Sequence, residues 1–134
     1  MVYYQAPYLM PRPNVLIAED HAAMRDCVAR LVAQDFDVIA AVGDGQAAVD
    51  ATATLRPDVV VLDISMPVMS GLTAAALLLR TSDPPRVVIL TMHDDECFRD
   101  AAREVGAHAF VLKVRLGSDL LPAIHGVLAL RASA

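Results

Sequence analysis

The sequence has no tryptophan, two cysteines and a single lysine in 134 residues. Each scarcity excludes something. Cys27 and Cys97 stand alone, far apart and without histidines at metal spacing, so neither a disulfide framework nor a zinc site is read here. Two reduced, mostly buried thiols in a cytosolic protein are the expectation. No apolar run reaches the length of a membrane span. The N-terminus lacks a basic segment leading into an apolar stretch, so no secretory signal is read and a cytoplasmic location is expected. The net charge of −5 argues against non-specific nucleic-acid binding by this domain. Of eleven basic side chains ten are arginine, and only Lys113 is lysine. Either this is chance in an Arg-biased chain, or the position needs a compact ammonium.

What is present is a globular composition, 56% hydrophobic and 20% charged, in a length that suits one domain. Residues 1–13 hold all three tyrosines and prolines at 7, 11 and 13, and they read as an N-terminal tail. From Asn14 onward short apolar runs alternate with amphipathic ones. Strands are expected at 14–19, 36–42, 59–63, 86–92 and 108–113. Helices are expected at 22–33, with Asp20 as N-cap, at 46–56 with Leu55 facing inward, at 72–80, after Asp94-Asp95-Glu96 up to Gly106, and from a Ser118 cap through Arg131. This is a (βα)5 pattern. It predicts an α/β, flavodoxin-like, doubly wound five-stranded parallel sheet in the order 2-1-3-4-5.

The centre of the pattern is Val59-Val60-Val61-Leu62-Asp63-Ile64-Ser65-Met66-Pro67. A continuous apolar run reads as a strand buried on both faces, and it ends in a carboxylate. In open α/β sheets chemistry sits outside the carboxyl ends of the strands. The other strand ends carry Glu19 and Asp20, Thr91, and Lys113. Three crowded carboxylates either share a raised pKa or recruit a cation. An all-oxygen set suits a hard cation, Mg2+ first and Mn2+ second. Asp63 can then act as a nucleophile toward phosphorus, with Lys113 and the Thr91 hydroxyl pairing with the phosphoryl oxygens.

The segments VLIAED, RPDVVVLDISMPVMSG, VVILTMHDD and GAHAFVLK, in this order over residues 14–131, resemble the receiver domains of bacterial two-component response regulators. LDISMPVMSG and LTMHDDE are most similar to the NarL/FixJ group, whose receivers are usually joined to a C-terminal helix-turn-helix of LuxR type. The resemblance implies a phosphorylation-dependent signalling switch rather than a turnover enzyme, though one that catalyses its own phosphoryl transfer and hydrolysis. It implies Asp63 as phosphoacceptor from a sensor histidine kinase. It implies Mg2+ held by Glu19, Asp20, Asp63 and the backbone carbonyl of Ser65. Thr91 becomes the switch hydroxyl, Lys113 the phosphate partner and Phe110 the switch aromatic, acting on the face of helix 4, strand 5 and helix 5. A phosphorylation-dependent homodimer is an implied partner state. DNA would be reached only through a C-terminal domain, and residues 14–131 leave no room for one in this chain.

Two departures from the family pattern stand out. Val114 replaces the proline that frequently follows the lysine, and the segment Val114-Arg115-Leu116-Gly117 is more basic and apolar than expected there. Ser65 and His93 occupy positions that tune phosphoryl lifetime in the family, and His93 reads as a rim residue.

Other readings are weaker. A haloacid-dehalogenase-like phosphatase needs a second acid where Ser65 stands, and a cap domain. A nucleotide-binding module needs a glycine-rich loop where Glu19-Asp20-His21 stands. A stand-alone receiver acting by protein contact is compatible with the sequence. A degenerate receiver is disfavoured because all five site positions are filled.

Overall fold

The computed structural model describes residues 11–132. The tail reading for residues 1–13 therefore lies almost wholly outside the described residues. Five strands alternate with five helices: β1 Asn14–Ala18, α1 Ala22–Val32, β2 Asp37–Val42, α2 Gly45–Leu55, β3 Val59–Asp63, α3 Gly71–Leu79, β4 Arg86–Thr91, α4 Glu96–Val105, β5 Ala109–Leu112 and α5 Leu116–Ala132. All strands pair in parallel in the order β2-β1-β3-β4-β5, as the alternation predicts.

The fully apolar strands are the central ones. β3 is buried at every residue, and β1 and β4 at every residue but the first. Side chains alternate between the two faces. Val15, Ile17, Val59, Val61, Val88 and Leu90 pack with Val28 and Val32 of α1 and Leu120, Ile124 and Val127 of α5. Leu16, Ala18, Val60, Leu62, Val87 and Ile89 pack with Ala48 of α2, Ala74, Ala75 and Leu78 of α3, and Ala102 of α4. Small residues on α2, α3 and α4 let three helices share one face. Among the described residues no helix is long and apolar enough to cross a membrane.

Local signals behave as their chemistry dictates, with four exceptions. Asp44, Ser70 and Asp95 cap α2, α3 and α4 by accepting from the backbone N–H groups of Ala47, Thr73 and Cys97. Gly106 closes α4 at φ +91°. Asp20 does not cap α1. His21 holds the N-cap position, without a side-chain cap bond, because the Asp20 carboxylate is drawn into the acidic cluster described below. Ser118 does not cap α5. A 3-10 turn at Lys113–Arg115 runs straight into a helix that starts at Leu116, leaving Ser118 inside it, where its hydroxyl donates to the Arg115 carbonyl. Leu55 is 44% exposed, because α2 meets the sheet through Ala48 and Thr52 one turn earlier. Both cysteines are exposed, since their helices turn other residues inward.

One glycine fixes the geometry around the central strand. Gly71 opens α3 directly beneath Asp63: a Cβ there would land on the Asp63 carbonyl oxygen. Gly126 lies within α5 with nothing near its would-be Cβ. Gly71→Ala is expected to destabilise by about 1–3 kcal/mol through overpacking against backbone. Gly126→Ala is expected to stabilise by about 0.5–1 kcal/mol by reducing unfolded-state entropy. Urea unfolding of the two variants checks both signs, and a tolerated Gly71→Ala contradicts the contact.

Candidate functional site

The carboxyl ends of β1, β3, β4 and β5 converge on one edge of the sheet. β1 and β3 are neighbours there although α1, β2 and α2 separate them in sequence. This is where the strand order reverses, and it brings Glu19 of the first strand end beside Asp63 of the third.

Glu19 is completely buried and Asp63 is 3% exposed. Two buried carboxylates so close would be prohibitive without a counter-charge. Lys113 supplies it. Its ammonium nitrogen lies 2.6 Å from Glu19 Oε1 and 3.0 Å from Asp63 Oδ2. The lysine reaches them from the first residue after β5, and its side chain is 6% exposed. Of all eleven basic residues, the one lysine is the one that bridges the buried acids.

The electrostatics follow from burial and charge. Burial raises Asp63 to about 6, with the Glu19 charge acting in the same direction, while Lys113 and the Ser65 backbone pull against it. Burial pushes the Lys113 ammonium toward losing its proton, but Glu19 and Asp63 overcome this and hold it above the ordinary lysine value. Asp20 is pushed up by burial, yet its interactions with Glu19, its own backbone, His21 and Lys113 hold it below its ordinary value. At neutral pH Asp20 and Asp63 are ionised and Lys113 is firmly protonated.

The remaining expected residues fall around this centre. Thr91 ends β4 and is 2% exposed. Its Oγ1 accepts a hydrogen bond from the His93 N–H at 3.1 Å, which leaves its own proton free to donate. Ser65 is exposed in the loop after β3, and its backbone acts on the Asp63 carboxylate. Phe110 lies on β5 beside Ile89, half-buried against the α2–α4 face. His93 is exposed, as a rim residue would be, with its ring stacked on Phe98 at 5.6 Å.

Three contributors were not read from the sequence. Arg25 of α1 donates to the Glu19 carbonyl at 2.9 Å and ties that helix to the end of β1. Arg99 of α4 lies 4.7 Å over the Phe110 ring while pairing with Asp94 at 2.9 Å. Both arginines sit on polar stretches of their helices, and no spacing rule singles out either. His21 is the third. Its backbone N–H donates to Glu19 Oε2 at 3.1 Å. A histidine directly after two acids was a readable signal.

The donor set fits a divalent cation. Glu19 and Asp20 present carboxylate oxygens, and Asp20 Oδ1 is buried without a hydrogen-bond donor. Such an oxygen is costly unless a cation or an ordered water meets it. Among the described residues, Glu19, Asp20 and His21 are the group whose donor atoms lie within 4.8 Å of one another. Asp63 joins them through Lys113.

These observations agree with what the chain is similar to. A family model described as the response regulator receiver domain matches residues 15–125. The transcriptional regulatory protein PdtaR of Mycobacterium tuberculosis is 36% identical over 116 residues, which cover 86% of this chain and 56% of PdtaR. The transcriptional regulatory protein DegU of Brevibacillus brevis is 32% identical over 113 residues, covering 83% of this chain and 48% of DegU. The chain thus spans about half the length of these curated relatives. A LuxR-family DNA-binding response regulator from Staphylococcus aureus has a solved structure similar to this one, with a TM-score of 0.81 and 30% identity, covering 86% of this chain and 98% of that one. A LuxR-family two-component response regulator from Aurantimonas gives a TM-score of 0.83 at 28% identity, over 88% of this chain and 86% of that one. The chain belongs to the response regulator receiver family.

Proposed function

We propose that residues 14–131 form a phosphorylation-dependent switch in which Asp63 accepts a phosphoryl group from a sensor histidine kinase. The observation that carries this reading is the buried Glu19–Lys113–Asp63 bridge at the sheet edge. A structural ion pair needs one acid per lysine. Here one lysine serves two acids, with a third, Asp20, beside them.

Asp63 is the nucleophile. One of its oxygens forms a bond to phosphorus as the phosphorus–nitrogen bond of the donor's phosphohistidine breaks, and that ring, already protonated on its other nitrogen, leaves as neutral imidazole. Lys113 pairs with one phosphoryl oxygen, and the Thr91 hydroxyl, whose proton is uncommitted, donates to another. Glu19 and Asp20, with Asp63 and the Ser65 carbonyl, are the residues that would hold Mg2+ or Mn2+. When bound, that cation supplies positive charge against the phosphoryl oxygens. Ser65 stands where a phosphatase of related chemistry keeps a second acid, so the domain is a switch and not a turnover enzyme.

The phosphoryl group adds roughly −1.5 to −2 charges at neutral pH. Drawing Thr91 and Lys113 toward it changes their present contacts, and Phe110 relays the change to the face of α4, β5 and α5. Relatives named as transcriptional regulators, of whose length the match to this chain covers about half, support control of transcription as the output. That output would act through a DNA-binding domain joined C-terminally and through a phosphorylation-dependent homodimer.

Acetyl phosphate with Mg2+ is expected to add one phosphoryl group to the wild type, read by intact mass, and none to Asp63→Asn. An unlabelled wild type, under conditions that label a control receiver, would sink the phosphoacceptor assignment.

The pKa of Asp63 gives a second test. Its folded value of about 6 lies above the ordinary carboxylate value. The unfolded chain therefore gives up this proton first, and the ionised form costs stability as pH rises from about 4 through 6. In metal-free buffer Asp63→Asn is expected to be more stable than the wild type at pH 7.5, by on the order of 1–3 kcal/mol. The gap should close as pH falls toward 4. Urea midpoints across that range check the sign, and a variant less stable at every pH contradicts it.

A further inference from the structure

Glu19 divides its two oxygens between different neighbours. Oε1 faces Lys113 at 2.6 Å. Oε2 faces His21, accepting from its backbone N–H at 3.1 Å and lying 3.8 Å from its ring Nδ1. The same Nδ1 lies 3.5 Å from Asp20 Oδ1, the buried oxygen that has no hydrogen-bond donor. One nitrogen and two oxygens thus form a three-donor group on the side of Glu19 away from the lysine.

We infer that His21 is a direct metal ligand, which turns the oxygen-only site into a mixed nitrogen–oxygen site that favours Mn2+ over Mg2+. The inference rests on Glu19 and Asp20 being the metal-holding acids. Adjacent ligands bound at about 2.0–2.2 Å to one six-coordinate ion sit roughly 2.8–3.1 Å from one another. The 3.5 Å and 3.8 Å separations are longer than that, so the ion would draw the ring inward, and a ring that is 80% exposed can rotate toward the acids. Among the described residues nothing else claims the imidazole. His21 occupies the N-cap position of α1 without a side-chain cap bond, and among the described residues its charged neighbours are the two acids. Mg2+ is a hard ion that keeps oxygen ligands and water. Imidazole is a borderline ligand, and replacing an oxygen with it raises affinity along the first-row series relative to Mg2+.

The test uses the full chain loaded with Mn2+ or Mg2+ alone. Pulsed electron paramagnetic resonance of bound Mn2+ should show coupling to a directly coordinated 14N nucleus, and His21→Ala should lose it. The Mn2+ to Mg2+ affinity ratio, from calorimetric titration, should fall about tenfold in that variant while Mg2+ binding persists. His21 is exposed, so the substitution leaves the core intact. Bound Mn2+ without nitrogen coupling, or coupling that survives in His21→Ala, overturns the inference and leaves the acidic site standing. Failure of both metals to bind overturns the inference and the acidic metal site together. Labelling by acetyl phosphate would then be judged on its own.

Discussion

The structure depends on one ammonium group between two buried carboxylates. Lys113, Glu19 and Asp63 come from three strand ends that are far apart in sequence, and each is nearly inaccessible to water. Removing the lysine from such a group leaves two buried carboxylates uncompensated, a loss of about 3–5 kcal/mol. The arrangement is therefore an ordering constraint. β5 must end so that Lys113 turns inward, and the 3-10 turn that begins at Lys113 carries the chain directly into α5. Arginine would not serve: its planar fork is longer and less compact than an ammonium. That is a physical reason for an arginine-rich chain to hold a lysine here.

The sheet gives this constraint its address. The β1–β3 pairing, Val15 with Val59 through Ala18 with Leu62, brings Glu19 and Asp63 to neighbouring ends. The β3–β4 pairing sets Asp63 beside Leu90, one residue before Thr91. Apolar side chains on both faces lock these registers, because a slip of one residue would exchange the two cores. Gly71 allows α3 to start under the Asp63 carbonyl, so the loop holding Ser65 stays close to the carboxylate. Hydrophobic packing thus positions chemistry to which it contributes no atom.

The legible features were those set by periodicity and strand ends. Continuous apolar runs gave five strands, their order and the edge at which Glu19, Asp63, Thr91 and Lys113 would meet. The misread features were decided by competition between partners. Asp20 has the chemistry of an N-cap, but the acidic cluster claims its carboxylate. Ser118 has the same chemistry, but a 3-10 turn starts α5 before it. Cys27 and Leu55 fall on apolar helical positions, yet each lies at the margin of the strip that the sheet covers. Arg99 over Phe110 is a contact between α4 and β5 that no local pattern encodes. Composition and spacing describe what a residue can do, and tertiary neighbours decide which capacity is used.

The resting contacts of the proposed switch residues are weak by design of their chemistry. Thr91 is held through one neutral hydrogen bond, from the His93 N–H, worth about 0.5–1.5 kcal/mol. Phe110 is covered by Arg99 in a cation–π contact worth about 0.5–1 kcal/mol at a partly exposed position. Moving a population from 1:99 to 99:1 takes about 5.5 kcal/mol of differential binding. Charge-assisted bonds from Thr91 and Lys113 to a phosphoryl group are roughly twice as strong as the neutral contact that Thr91 makes now. The strong interaction in the resting state, Lys113 with its two acids, lies at the proposed phosphoacceptor, where an acyl phosphate on Asp63 would replace one of the two carboxylate charges that hold the lysine. The tight part of the resting structure is thus the part that the proposed phosphorylation would rewrite. The parts that must follow are loosely held.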